Sequence, residues 1–172
     1  MNSIIKSLFI IVLLNLTTHI LTAQKSYPLT EDVSTISGLI NATYEIVSGL
    51  KGEKRQWKRD ASLHHPNAIY SYKDVDGSQL TISVSDFHKD TEEMVMETNF
   101  IEYEINREVR IFGNIAHVWS TYETKFEVDG PVERRGINSI HLIYEKDRWW
   151  ILSWIFDKET KENRIPKSFD KN

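Results

Sequence analysis

The sequence predicts an α+β domain in which three helices, met first along the chain, pack on an antiparallel sheet. Three observations carry this. Apolar residues recur at helical spacing between Val33 and Leu63 and again over 86–98. An Asp76-Gly77 pair parts two short alternating segments, a hairpin signal. Four longer alternating segments then follow, separated only by a few residues of turn chemistry.

The first residues belong to no such element. Lys6 precedes an apolar run from Leu8 to Leu16, and Ala23-Gln24 offers a small residue before a polar one. This is the pattern of a cleavable secretory signal over residues 1–23, with cleavage after Ala23. The run is too short to span a bilayer, which takes about 20 apolar residues. The mature chain is therefore expected to be secreted or periplasmic, with no membrane attachment. It divides into a tether (24–32), one domain (33–157) and a polar tail (158–172) expected to fray.

Composition removes several function classes. With no cysteine, disulfides, thiolate metal sites and a lipidated N-terminal cysteine are excluded. A net charge of −4 argues against a nucleic-acid partner, which needs a basic face. The cluster Lys51, Lys54, Arg55, Lys58 and Arg59 is interrupted by Glu53 and Asp60 and reads as a solvated helix face.

The elements follow in order. Thr30 caps a helix carrying Val33, Ile36, Ile40, Tyr44 and Val47 on one face, and Gly49 stops it. A second helix covers Glu53 to Leu63, before Pro66. Strands over 68–75 and 79–84 flank Asp76-Gly77, and Ser85 caps a third helix reaching Thr98. Four strands over 100–112, 114–128, 133–146 and 148–157 complete a meander.

In the strand over 114–128, Ala116, Val118, Ser120, Tyr122 and Thr124 form the face expected on the helices. In the last strand both alternation sets are apolar, where one solvated face is the norm. Trp119, Ile143, Trp150, Trp154 and Phe156, with His141, then form an apolar outer patch, and a homodimer through that face is its expected cover. The other cover is the N-terminal segment or the tail.

The run from Asn114 to Glu123, the run from Arg135 to Tyr144, and Arg148-Trp149-Trp150-Ile151-Leu152-Ser153-Trp154 resemble the C-terminal strands of the nuclear transport factor 2-like superfamily, of the SnoaL-like and lumazine-binding type. His65-Pro66-Asn67-Ala68 sits where those families approach the first strand. The resemblance covers about Val33 to Asp157. It implies a cone-shaped, cystatin-like fold with a strongly bent sheet, a pocket at the open end and dimerisation through the sheet. It implies no catalytic residues, because neither the acidic sets nor the tyrosine of enzymes with this fold match locally.

Candidate pocket residues are Trp57, His64, Tyr103, Tyr122, Arg135 and Asn138; a tyrosine in particular combines an apolar ring with one polar tip, the mix small-molecule pockets favour. His64 and His65 point opposite ways on an extended segment, so they cannot jointly chelate a metal. His88, His117 and His141 complete no metal-binding spacing, and neither metal nor cofactor is expected. Glu92, Glu93 and Glu97 on the third helix are candidate proton shuttles or simply solvated. Arg107 interrupts an apolar set, which marks a bulge or an inward charge. These features favour an exported small-ligand binder. An acid–base enzyme (isomerase, dehydratase, cyclase or hydrolase) on a small organic molecule comes next, and a protein-assembly module third.

Overall fold

The computed structural model describes residues 26–171. The expected signal segment, its cleavage after Ala23 and the first two tether residues lie outside the described residues. Helices α1 (Thr30–Val33), α2 (Ile36–Val47), α3 (Trp57–Leu63) and α4 (Val84–Glu97) cover one face of a bent sheet. Its strands are β1 (His64–Lys73), β2 (Gln79–Ser83), β3 (Ile101–Phe112), β4 (Ile115–Lys125), β5 (Arg134–Glu145) and β6 (Arg148–Lys158). Their spatial order is β2-β1-β6-β5-β4-β3. After the β1–β2 hairpin, α4 carries the chain to the far edge, and the meander walks back until β6 meets β1. It arrives running the same way, so β1 and β6 are parallel and the expected antiparallel sheet is mixed.

The first expected helix breaks at Ser34. Thr35, rather than Thr30, caps α2, its Oγ1 accepting the Gly38 N–H at 2.9 Å. Likewise Ser83, rather than Ser85, caps α4 through the Asp86 N–H at 3.1 Å. The break lets α1 bring Asp32, assigned to the tether, into the interior. There Arg59 grips both carboxylate oxygens at 2.8 Å and reaches Glu45 at 3.1 Å. Asp32 and Arg59 are both buried, so the basic cluster is not simply a solvated face. Arg55 is buried too, donating to the carbonyls of Val47, Gly49 and Glu53 where α2 ends.

Leu39, Ile40, Ile46, Leu63, Val118, Ile140, Leu142 and Ile151 are fully buried between helices and sheet. Each contributes about 1.5–3 kcal/mol of burial. The turns are those expected: Gly77 and Gly113 take left-handed conformations, and Lys146-Asp147 supplies two consecutive left-handed residues to a tight hairpin.

Two register shifts overturn part of the face assignment. Ile105 is an extra residue between the pairs Glu104↔Tyr122 and Asn106↔Thr121. Leu152 is extra between His141↔Ser153 and Leu142↔Ile151. Each shift exchanges the inward and outward sets along its strand. In β6 the inward residues are therefore Trp149 and Ile151 before the bulge, but Trp154 and Phe156 after it. Both sets looked apolar because each is inward over half its length. Trp154 and Phe156 are thus not outer-face residues: Trp154 pairs with Ile140 and Phe156 with Asn138, both on the helix side. Trp119, Ile143, Trp150 and His141 do lie outside.

The tail, expected to fray, folds back across the outer face. The Phe169 carbonyl accepts from Thr121 Oγ1 at 2.6 Å and the Asp170 carbonyl from Asn106 Nδ2 at 2.7 Å. Phe169 packs on Trp119, with ring centroids 5.9 Å apart. The chain itself therefore covers the outer face around β3 and β4.

Arg59→Leu leaves Asp32 buried without its counter-charge. Urea unfolding at pH 7 is expected to show a loss of about 3–5 kcal/mol.

Candidate functional site

The helices do not fill the concave side of the sheet. A cavity of about 560 Å³ remains, open at one end. Its aromatic wall comes from several elements. Phe87 of α4 stacks on Tyr70 at 3.9 Å, Tyr72 stacks on Phe156 at 5.1 Å, and Trp154 lies 6.4 Å from Tyr70. Val47, Met94, Val95 and Phe100 close the helix side.

The sheet register explains the polar groups. Cross-strand neighbours share a face. Glu102, Thr124 and Arg134 form one inward row, and Glu104, Tyr122, Gly136 and Lys158 the next. Arg107, Ser120, Asn138 and Phe156 form the third. The third row and Glu104 make a closed network. Arg107 donates to Glu104 at 2.9 Å, Ser120 Oγ donates to Glu104 Oε1 at 2.5 Å, and Asn138 Nδ2 donates to the Tyr44 hydroxyl at 2.8 Å. Because the Ser120 proton goes to Glu104, Tyr44 donates to Ser120 Oγ at 2.7 Å. Arg107 is thus both things its pattern suggested: it follows a bulge and carries an inward charge.

Glu102 is different. The Ser48 hydroxyl at the end of α2 clamps its backbone, donating to its carbonyl at 2.8 Å and accepting from its N–H at 3.0 Å. Its carboxylate accepts one side-chain bond, from Thr124 Oγ1 at 2.9 Å, and one edge faces the cavity while protein wraps the rest. Burial pushes its pKa up to about 7, with Thr124 and Arg134 restraining the rise. Burial likewise raises the phenols of Tyr70 and Tyr122, so both remain protonated donors. Among the described residues neither hydroxyl has a hydrogen-bond partner. The Tyr122 ring tip lies over Gly136, where a Cβ would come within 2.5 Å of the hydroxyl oxygen.

A second carboxylate reaches the cavity from α3. Asp60 accepts from His88 Nε2 at 2.7 Å, and the His88 ring stacks on Trp57 at 4.5 Å. Trp57 also donates its indole N–H to Glu92.

The structure therefore brings Trp57, Tyr122 and Asn138 to the cavity and takes three candidates away. His64 opens β1 four residues earlier than expected and is buried behind the wall, its Nδ1 on the Asp60 carbonyl at 2.9 Å and its ring against Tyr70. His65 faces the other way, toward Trp150. Tyr103 and Arg135 lie on the outer face: Tyr103 precedes the Ile105 bulge and is out of phase with the inward set beyond it, and Arg135 has the opposite parity to inward Asn138 on the unbroken strand β5. Tyr103 donates to Glu123 at 2.8 Å, and Arg135 joins Glu123, Glu159 and Asp170. Glu123 belongs to β4, Glu159 and Asp170 to the tail, and neither Tyr103 nor Arg135 lines the cavity. Glu93 and Glu97 are exposed. Sequence reasoning missed Glu102, Asp60 with His88, Arg134 and Lys158. The one available signal was the pair Glu102 and Glu104 at alternate positions of a strand edged by apolar residues.

Among the described residues no group of three or more His, Asp or Glu side chains could hold a metal ion. Nor is any described helix long and apolar enough to cross a membrane.

Comparison with solved structures identifies the architecture. A nuclear transport factor 2-like protein of unknown function from Silicibacter pomeroyi superposes with a TM-score of 0.53 at 15% identity, over 72% of this chain and 92% of that one. A cystatin-like-fold protein of unknown function from Nostoc punctiforme gives a TM-score of 0.59 at 8% identity, over 73% and 90%. The yeast UBP3-associated protein BRE5 gives 0.56 at 11% identity, over 73% and 94%. No protein-family model matches the sequence, and no curated protein matches it significantly. The chain has the nuclear transport factor 2-like, cystatin-like fold. At these identities the likeness is one of fold.

The raised pKa of Glu102 carries a stability consequence. Between the ordinary glutamate pKa and about 7, the folded state holds a proton that the unfolded state has released, so stability falls as pH rises through that window. Glu102→Gln removes the titration. Its stability relative to the native chain is expected to rise by roughly 1–3 kcal/mol between pH 4.5 and 7.5, measured by urea unfolding at both.

Proposed function

We propose that this is a small-ligand-binding domain whose cone takes an organic molecule with an aromatic or alicyclic body. The observation that carries this reading is the aromatic-walled cavity of about 560 Å³. That size falls within the range of small-molecule sites, and stacked rings hold the wall in place without a ligand. Unpartnered hydroxyls of Tyr70 and Tyr122 and the free edge of Glu102 offer the few polar contacts that orient such a ligand. A neutral aromatic probe, N-phenyl-1-naphthylamine, is expected to bind and brighten. Met94→Trp, which places a larger ring in the cavity, is expected to weaken it about tenfold or more. Unchanged probe affinity in this variant would rule the cavity out as the site.

A second reading, acid–base catalysis, is favoured by Glu102 alone. A carboxyl titrating near 7 inside an apolar cavity can take and return a proton at neutral pH. The Asp60–His88 pair supplies a further titratable group on the opposite wall.

Two expectations stand beside this function as proposals. Export through the N-terminal segment is one, tested by the N-terminal mass of the protein recovered from its host. The other is a homodimer through the outer face. Beyond the tail, that face keeps Ile69, Phe112, Ile115, Ile143 and Leu152 around a groove, with Phe112 83% exposed. A second copy presents the same patch and can close it. Ile115→Glu is then expected to halve the mass measured by sedimentation equilibrium; a native chain that sediments as a monomer would refute the dimer.

A further inference from the structure

We infer that the ligand of this cavity is an organic anion, its charged group held by Arg134 and Lys158 and its apolar body by the aromatic wall. This rests on the small-ligand reading above and names the class of molecule it would take.

The argument begins with unbalanced charge. Arg134 and Lys158 line the cavity where β5 begins and β6 ends. The concave face places them in adjacent inward rows, so the two cations are neighbours. Among the described residues neither has a carboxylate within ion-pair distance. Other arginines on the sheet have partners of their own: Arg107 pairs with Glu104 and Arg135 with Glu123, Glu159 and Asp170, while Arg148 is held by the Ser62 carbonyl and the Trp150 ring. The neighbouring cations repel, and burial together with Arg134 lowers the Lys158 pKa. Arg134 and Lys158 instead reach the cavity lining with no carboxylate counter-ion among the described residues.

The surroundings set the orientation. Lys73, also at the mouth, is already engaged by Asp157 at 3.4 Å. Asp74 and Asp90 stand on the hairpin and α4 side of the mouth, so that edge is acidic and the β5–β6 edge basic. An anionic group is drawn to one side only. Glu102 shares its row with Arg134 and does not cancel the site, because its carboxyl titrates near 7 and can become neutral as an anion arrives. From this edge inward the lining turns apolar through Phe156, Tyr72 and Trp154. The ligand is therefore charged at one end and ringed at the other.

The test uses two probes of one ring system: 8-anilinonaphthalene-1-sulfonate, an anion, and neutral N-phenyl-1-naphthylamine. The full chain is titrated with each at pH 7.5, alongside Arg134→Gln, Lys158→Gln and Met94→Trp. The expected result has three parts. The sulfonate binds about tenfold tighter than the amine, each Gln variant loses most of that advantage without changing amine affinity, and Met94→Trp weakens both probes. Equal affinity for the two probes, unchanged in the Gln variants, would overturn the anion inference and leave the cavity as a neutral-ligand site. Sulfonate binding that survives Met94→Trp would place the dye on the outer patch and also overturn it. If neither probe binds, the small-ligand reading itself falls and the inference with it.

Discussion

The bend of the sheet is the constraint on which the rest depends. A flat six-stranded sheet under these helices would bring its whole inner face against them. Instead the flanking strands β3 and β6 each carry an extra residue, while β4 and β5 between them stay in unbroken register. The bulged strands curl and the central pair does not, so the sheet cups and its lower half draws away from the helices. Space for a ligand follows from that geometry. So does the placing of polar residues inside, because each bulge turns a solvent-facing set inward.

Two glutamates on successive inward rows, Glu102 and Glu104, show how finely this divides labour. Glu104 is spent structurally, tied to Arg107 and Ser120 in a network that satisfies Tyr44 and Asn138 as well. Such fully connected buried networks hold one arrangement of the interior. Glu102, on the next row toward the opening, receives one hydroxyl and the more distant charge of Arg134 on its own row. Its charge is poorly compensated, and that is what moves its titration toward neutrality.

Much of the fold was legible in the sequence. Every turn between strands was marked by glycine, asparagine or aspartate chemistry, and the order of helices, hairpin and meander followed from periodicity. What periodicity cannot contain is an inserted residue, because a bulge leaves each half of the strand perfectly alternating. Tyr103 on one side, Trp154 and Phe156 on the other, were therefore exchanged between cavity and surface, whereas Arg135, on unbroken β5, already had the opposite parity to inward Asn138. Cavity residues supplied singly from different elements, such as Asp60 from α3 and Lys158 from the last strand, leave no local pattern to read. The tail misled for another reason. Its charges look solvated in isolation but meet their complements on the sheet, Lys171 on Glu123 and Asp170 on Arg135.

The position of β6 has a consequence for how the molecule comes into being. It is made after the other five strands, yet it lies between β1 and β5 and joins the hairpin half of the sheet to the meander half. Until β6 exists, the two halves have no hydrogen bonds in common, and the cup has no floor where Trp154 and Phe156 will stand. Closure thus joins partners 84–87 residues apart, a pairing that is slow because a long loop must be ordered first. A ribosome that has delivered β5 has delivered a sheet still in two pieces, held near one another only through the helices. The domain becomes one body only when its sixth strand slides between them.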